Sequence, residues 1–387
     1  MVTIDKIFHA SVVLKDIIRP TPLAKAYGIA EDCALYLKPE CLQKTGSFKL
    51  RGSGYKIAML SDEEKAKGVI ACSAGNHAQG VALAASKCGI SSLICLPDTA
   101  PISKVEATKG YGAQVCLVPG VYDDAYNKAL ELKEEHGYTF VHPFDDEYVI
   151  AGQGTIGLEI MNEMSDVDAV LVPIGGGGLI SGVACAIKSI SPHVKVYGVQ
   201  AAGAPSMYNA IHHGKMEALT SVSTIADGIA VKKPGELTYE MVKNYVDDIA
   251  LVTEDEIAAA ILALIEKQKM IAEGAGAVSV AAAMFHKFPL EGKKVVSLIS
   301  GGNIDVTSLS RVIDRGLMKS GRTTSLLIEL ADKPGQLMEV SRIIAQCGGN
   351  VISVHHERNG ETESINGCYL RLSLETRNYD HVQQITQ

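Results

Sequence analysis

From about Gly68 onward the chain alternates short apolar runs, rich in β-branched residues, with Ala-rich stretches of helical period. GVIACS leads into a helix from Asn76, SSLICLP into one from Ile102 and AQVCLVP into one from Tyr122. The alternation continues through AVLVPI (169–174), KVYGVQ (195–200) and KVVSLIS (294–300). Runs that are apolar throughout predict strands buried on both faces of parallel sheets, with helices as crossovers. Thr253-Glu254-Asp255-Glu256 reads as a capping box opening a long amphipathic helix, a structural feature only.

The pattern changes after Asp305. Arg311–Ser325 (RVIDRGLMKSGRTTS) is polar and contains glycine, which predicts a linker over 311–322 between a domain at 1–310 and a small unit at 323–387. In that unit TSLLIELA and NVISVHHER alternate as half-exposed strands do. Pro334–Cys347 predicts a helix with Pro334 in its first turn and Gly348-Gly349 as its stop. A third strand is expected at Gly367–Leu374, then the start of another helix, giving a β-α-β-β unit.

Composition narrows the class. A chain of 387 residues exceeds one ordinary core and predicts two or three domains. With 47% hydrophobic and 21% charged residues, it has the apolar material for buried elements and is not disordered. A net charge of -8 and an isoelectric point near 5.8 argue against nucleic acid or an anionic membrane as partner. No apolar run approaches the roughly 20 residues of a membrane span, and the N-terminus lacks the features of a signal peptide. Nine cysteines, an odd number without a C-x-x-C pair, predict reduced core thiols in a cytoplasmic protein.

Four stretches carry candidate chemistry. Gly175, Gly176, Gly177 and Gly178 follow the run AVLVPI and precede a helix opening near Leu179, a phosphate cradle of N–H groups and helix dipole. GGGGLISG fits neither G-x-G-x-x-G nor a Walker loop, which disfavours a dinucleotide or nucleoside triphosphate. A tight turn alone needs only one or two glycines. Thr45-Gly46-Ser47-Phe48-Lys49 leads a lysine into apolar surroundings at a helix start, where its ammonium form is disfavoured, as an imine-forming amine requires. Read alone, Lys49 is more simply an exposed helix lysine. Ser73-Ala74-Gly75-Asn76-His77 forms a turn whose N–H donors suit a carboxylate, with His77 as base or as structural histidine. Ser300-Gly301-Gly302-Asn303 follows the last parallel run, at a strand edge where ligands gather.

In this order and spacing, KTGSFKLRG, SAGNHAQG, AGQGTIGLEI, GGGGLISG, ADGIAV and SGGNID resemble the fold-type II pyridoxal phosphate (PLP) enzymes. Within them the likeness is to the threonine/serine dehydratases, or threonine ammonia-lyases, over roughly residues 5 to 315. The resemblance implies an α/β fold of two lobes with parallel sheets, the smaller, roughly 46–141, inserted in the larger. It implies that Lys49 carries pyridoxal 5'-phosphate, that Phe48 packs beside its ring and that Asn76 meets the ring hydroxyl. Gly175, Gly176, Gly177, Gly178 and Leu179 would hold the phosphate, Ser300 the pyridine nitrogen, and Ser73, Ala74, Gly75, Asn76 and His77 the substrate carboxylate. A neutral hydroxyl at Ser300 does not force protonation of that nitrogen, which suits elimination. Lys49 would take the Cα proton and water would leave. L-Threonine would thus give 2-oxobutanoate, and L-serine pyruvate, with ammonia, in isoleucine biosynthesis or threonine catabolism.

Two departures sharpen the expectation. Serine racemases of the family place a serine where Ala74 stands, and racemisation needs a proton donor on each face, so Ala74 favours a dehydratase. Some relatives hold a divalent cation through an acidic residue after KVYGV. Gln200, Ala204 and Ser206 offer no carboxylate, so no metal is expected there. The tail around Asp332-Lys333-Pro334-Gly335-Gln336-Leu337 resembles an ACT regulatory domain without its last strand, which implies an amino-acid effector. Lys44, Thr45, Gln79, Tyr111 and Asn303 match a nucleotide effector site of relatives that lack the tail. A homodimer or homotetramer is expected. The alternatives are a serine racemase, a β-replacement enzyme or threonine synthase, and a catalytically silent amino-acid-sensing relative. Intact Lys49, Asn76 and Ser300 speak against the last.

Overall fold

Apolar runs with no polar face to show to water fold as strands covered on both sides. In the computed structural model, which describes residues 2–358 and 367–387, two such runs, Ser92–Pro97 and Val69–Cys72, form the middle of a four-stranded parallel sheet. Its order is Gln114–Val118, Ser92–Pro97, Val69–Cys72 and Thr139–Phe140. All four strands come from one continuous stretch of the chain.

The larger sheet takes its strands from either side of that stretch. Its order is Ala24–Lys25, Ala34–Pro39, Lys294–Ile299, Ala169–Pro173, Lys195–Ala201 and Asp248–Val252, parallel except for the first pair. The α/β class with parallel sheets is therefore as expected. The strands at 24–39 and 248–252 were not read from the sequence. Lys38 gives Ala34–Pro39 a polar centre, yet it is buried, its ammonium 2.6 Å from Glu159 and 3.2 Å from Glu163.

The functional stretches sit at the C-terminal ends of these strands, where helices begin. Asn76–Lys87 follows Val69–Cys72, and Gly178–Ile190 follows Ala169–Pro173. The helix Lys49–Ala58 lies against the helix Glu147–Glu163 through glycines. A Cβ at Gly152 would stand 2.4 Å from the Arg51 carbonyl oxygen, and one at Gly52 would stand 2.5 Å from Gln153 Nε2. The motif AGQGTIG is thus a packing surface that brings two backbones together.

The chain divides into two units, Met1–Ile304 and Asp305–Gln387. In the second, Thr323–Ala331, Gly367–Glu375 and Asn350–Glu357 form an antiparallel sheet in that order. Helices Gln336–Gln346 and Tyr379–Thr386 belong to the same unit, and Ile344, Leu370, Leu372, Leu374 and Ile385 form its core. Two expectations are corrected. The stretch taken for a linker over 311–322 lies mostly in a helix, Val306–Lys319. Leu309, Val312, Ile313 and Gly316 share one face, Val312 and Gly316 are buried, and Asp305 accepts from Thr307 N at 3.1 Å as its N-cap. Pro334 precedes its helix and does not open it, because Gly335 takes the N-cap at φ +92°.

Candidate active site

Lys49 is the first residue of its helix, and the turn before it is tied to the last strand of the large sheet. Phe48 N donates to Ser300 O at 3.0 Å, Ser47 bridges Gly301, and Gly302 N donates to Gly46 O at 2.9 Å. The Lys49 amine donates to Pro143 O at 2.7 Å and lies 5.3 Å from the centre of the Phe48 ring. Burial pulls its pKa down to about 8, against the attraction of Glu273.

Asn76 is held at both ends. Its Nδ2 donates to Glu273 Oε1 at 2.7 Å, and its Oδ1 accepts from Asn303 Nδ2 at 2.7 Å. Asn303 Nδ2 also donates to Thr45 O at 2.7 Å. Burial, and then Asp227, push the Glu273 carboxyl up to about 7, against Asn76, Lys104 and Lys49. Ser300 is buried and its hydroxyl donates to Ala275 O at 3.2 Å.

In the 73–77 turn, Gly75 N donates to Ser73 Oγ at 3.1 Å, and a Cβ on Gly75 would meet open space. Ala74 offers no proton donor. His77 is buried and its Nε2–H donates to Val141 O at 2.8 Å. Burial and the neighbouring Lys49 pull its pKa down to about 3. It is a neutral, satisfied histidine, and of the two roles open to it the geometry supports the structural one.

All four glycines of the 175–178 loop meet protein atoms. A Cβ at Gly176 would stand 2.4 Å from the Phe144 ring, and one at Gly178 would stand 2.7 Å from Phe144 O. Gly177 adopts φ +98°, and a Cβ there would meet Met207 and Thr238 at 2.7 and 2.8 Å. Packing therefore demands part of the run that the sequence reading gave wholly to a ligand. Among the described residues, the N–H groups of Gly175, Gly176, Gly177, Gly178 and Leu179 have no protein acceptor, as befits the start of a helix.

Of the residues expected to hold a nucleotide, Asn303 reaches both Thr45 and Asn76. Tyr111 OH donates to Lys44 O at 3.4 Å, and Gln79 is one helical turn beyond Asn76. The Lys44 amine donates to Ile17 O at 2.8 Å, and burial with nearby Lys87 and Arg19 lowers its pKa. Gln200 is used within the fold, donating to Ile174 O at 3.3 Å and accepting from Tyr208 N at 2.8 Å. One group of three potential metal ligands occurs among the described residues: Asp332, His356 and Cys368 in the C-terminal unit. Asp332 is already held there by Arg358 at 3.0 Å.

The sequence profile of a family described as pyridoxal-phosphate dependent enzyme matches residues 14–301. The chain belongs to this family. Among its relatives, the L-threonine ammonia-lyase of Thermotoga maritima is 52% identical over 387 residues, 100% of this chain and 96% of that protein. A catabolic L-threonine dehydratase of Staphylococcus aureus is 49% identical over 323 residues, 82% of this chain and 93% of that protein. The structure of maize serine racemase superposes with a TM-score of 0.77 at 36% identity, covering 82% of this chain and 98% of the other. As a fold-type II pyridoxal-phosphate enzyme, the protein is PLP-dependent. The residues present fit that cofactor: a lysine amine with lowered pKa for the aldehyde, a fixed amide and hydroxyl for the ring, and unpaired N–H groups for the phosphate. Among the described residues no helix is long and apolar enough to cross a membrane.

Sequence reasoning missed Glu273, the segment Pro143–Asp145 and Thr238. Glu273 left a trace, as the one charge in the otherwise uncharged run Ile271–Phe285. Thr238 left none, since one threonine in a helix is ordinary.

Proposed function

We propose that this pyridoxal-phosphate enzyme dehydrates and deaminates L-threonine, and L-serine as a second substrate, releasing 2-oxobutanoate or pyruvate and ammonia. The observation that carries this reading is a buried amine of lowered pKa, Lys49, whose charge is felt at His77 of the turn 73–77, where Ala74 supplies no second proton donor. Bound PLP supplies the electron sink that weakens the substrate Cα–H bond. Lys49 would take the Cα proton at Nζ, and the β-hydroxyl would depart as water once the Lys49 ammonium hands that proton on to it. The released enamine tautomerises, water adds to the imine carbon and ammonia leaves. The first N–H groups of the helix Asn76–Lys87 receive the substrate carboxylate, within the turn Ser73–His77. Asn76 meets the cofactor hydroxyl, Ser300 its ring nitrogen, Phe48 its ring, and Gly175–Leu179 its phosphate. Names of relatives at 52% and 49% identity support this substrate. The racemase fold match keeps a second outcome in the test.

The test is an absorption spectrum of the purified protein, followed by 2-oxo acid and D-serine assays with L-threonine and L-serine. A yellow protein that loses its Lys-bound absorbance and its oxo-acid production on Lys49→Ala is expected. A protein that cannot take up PLP, or one that makes D-serine faster than pyruvate, overturns the reading.

Regulation belongs to the same proposal. The C-terminal unit is ACT-like and takes an amino-acid effector, and a nucleotide phosphate binds near Lys44, Thr45, Gln79, Tyr111 and Asn303. The cationic neighbours Arg19 and Lys87 support an anion at that second place. The assembly is a homodimer or homotetramer, and the free thiols suit the cytoplasm. Titrating activity with each of the twenty amino acids and with a set of nucleoside monophosphates and triphosphates, and repeating it on Lys44→Ala, separates the two effector sites.

A further inference from the structure

The helix Glu236–Tyr245 begins at Gly235, which has no side chain with which to cap it. Its cap comes from a residue far back in the sequence. Asp145 Oδ2 accepts from Glu236 N and Oδ1 from Thr238 N, both at 3.1 Å. Gly235 is required by this contact, since a Cβ there would stand 2.2 Å from Asp145 Oδ1. Asp145 is two residues after Pro143, whose carbonyl takes the Lys49 amine, and directly after Phe144, whose ring packs on Gly176.

Held in this way, Thr238 is fully buried and its hydroxyl donates to Gly176 O at 2.6 Å, with Gly235 O a further acceptor at 3.1 Å. Gly235 N donates to the same Gly176 oxygen at 3.4 Å. In a planar trans peptide the C=O of one residue and the N–H of the next point in opposite directions. Drawing the Gly176 carbonyl into the first turn of this helix therefore turns the Gly177 N–H the other way, away from that helix. Glycine offers no side chain to stop that peptide from rotating, so the constraint must come from outside the loop.

From this we infer that Thr238, oriented by Asp145, is a positioning residue for the phosphate cradle. The inference rests on the assignment of Gly175–Leu179 to the cofactor phosphate. Thr238 touches neither cofactor nor substrate. Its hydroxyl keeps the loop's donors converged before the phosphate arrives, which is worth more than donors that must be ordered on binding.

The test compares two probes on the full-length chain stripped of cofactor: PLP, and pyridoxal, which lacks the phosphate. Thr238→Val keeps the shape and removes the hydrogen bond. It is expected to weaken PLP about ten-fold, the scale of one lost buried hydrogen bond, since Gly235 N remains only as a longer donor to Gly176 O, and to leave pyridoxal binding unchanged. Thr238→Ser is expected to restore PLP binding. Gly177→Ala, which breaks the loop itself, serves as comparator, with circular dichroism confirming that each variant is folded. Unchanged PLP binding in Thr238→Val, with PLP weakened selectively in Gly177→Ala, overturns the role of Thr238 and leaves the loop assignment standing. Equal loss of PLP and pyridoxal in Thr238→Val makes the residue merely structural and also overturns it. If Gly177→Ala weakens both probes equally or neither, the loop assignment falls, and the inference falls with it.

Discussion

Glu273 shows how a single side chain couples the site to pH. Its carboxyl is buried and its pKa is pushed from 4.5 up to about 7, so the native state keeps a proton that the unfolded chain has lost. The associated stability is fully present below about 4.5 and is lost as pH rises through about 7. Between pH 5.5 and 7.5 the wild type should therefore lose about 2 kcal/mol relative to Glu273→Gln, a shift readable by urea denaturation. A wild-type-minus-variant difference that stays flat over this range would show that Glu273 does not titrate there. Ala74 makes the second residue-scale prediction. Ala74→Ser adds a hydroxyl to the turn where the Gly75 neighbourhood is open. D-Serine formation from L-serine should rise from background while pyruvate formation persists. A chiral assay that finds no D-serine would mean that this position alone does not supply the second proton.

At the scale of elements, what the sequence made legible depended on how local each cause is. The buried strands Val69–Cys72 and Ala169–Pro173 were legible because burial on both faces imposes an unbroken apolar run. Lys49 was legible only in company, through stretches at 73–77, 175–178 and 300–303. The support of its helix was not legible at all. Arg51 reads as an exposed helix residue, yet its side chain is wholly buried. Its Nε and Nη2 donate to Glu40 at 2.8 and 2.7 Å, and its Nη1 to Glu159 at 2.6 Å. Glu40 lies 11 residues back and Glu159 108 residues on, so no local window of sequence contains both partners. The expected 311–322 linker failed for a related reason, since glycine and polar residues hid one apolar helical face. The buried network carries its own prediction. Arg51→Ala strands the fully buried Glu40 carboxylate and should cost about 3–5 kcal/mol of stability, measured by chemical denaturation. Arg51→Lys should recover little, because an ammonium cannot make the bidentate contact. Full recovery by lysine would show that charge alone, without the planar fork, holds the first turn of the Lys49 helix.

At the scale of the whole molecule, every residue assigned to chemistry falls within Met1–Ile304, and Asp305–Gln387 has a core of its own. Units with separate cores can in principle fold and evolve separately. The Staphylococcus aureus relative fits that division, since 323 aligned residues account for 93% of it but only 82% of this chain. Catalysis should thus need the first unit, and control by an amino acid the second. A chain ending at Ser320 should form 2-oxobutanoate from L-threonine at a rate within about two-fold of the full-length enzyme, as expected if the domains are independent. It should also lose any response to an amino-acid effector, while a response to a nucleotide through the Lys44 region should survive. The two responses can be read in one experiment by titrating each effector into both chains. A truncated chain that binds PLP normally but turns over slowly would place part of the catalytic competence in the C-terminal unit. One that still answers to the amino acid would place that effector's site in the first unit.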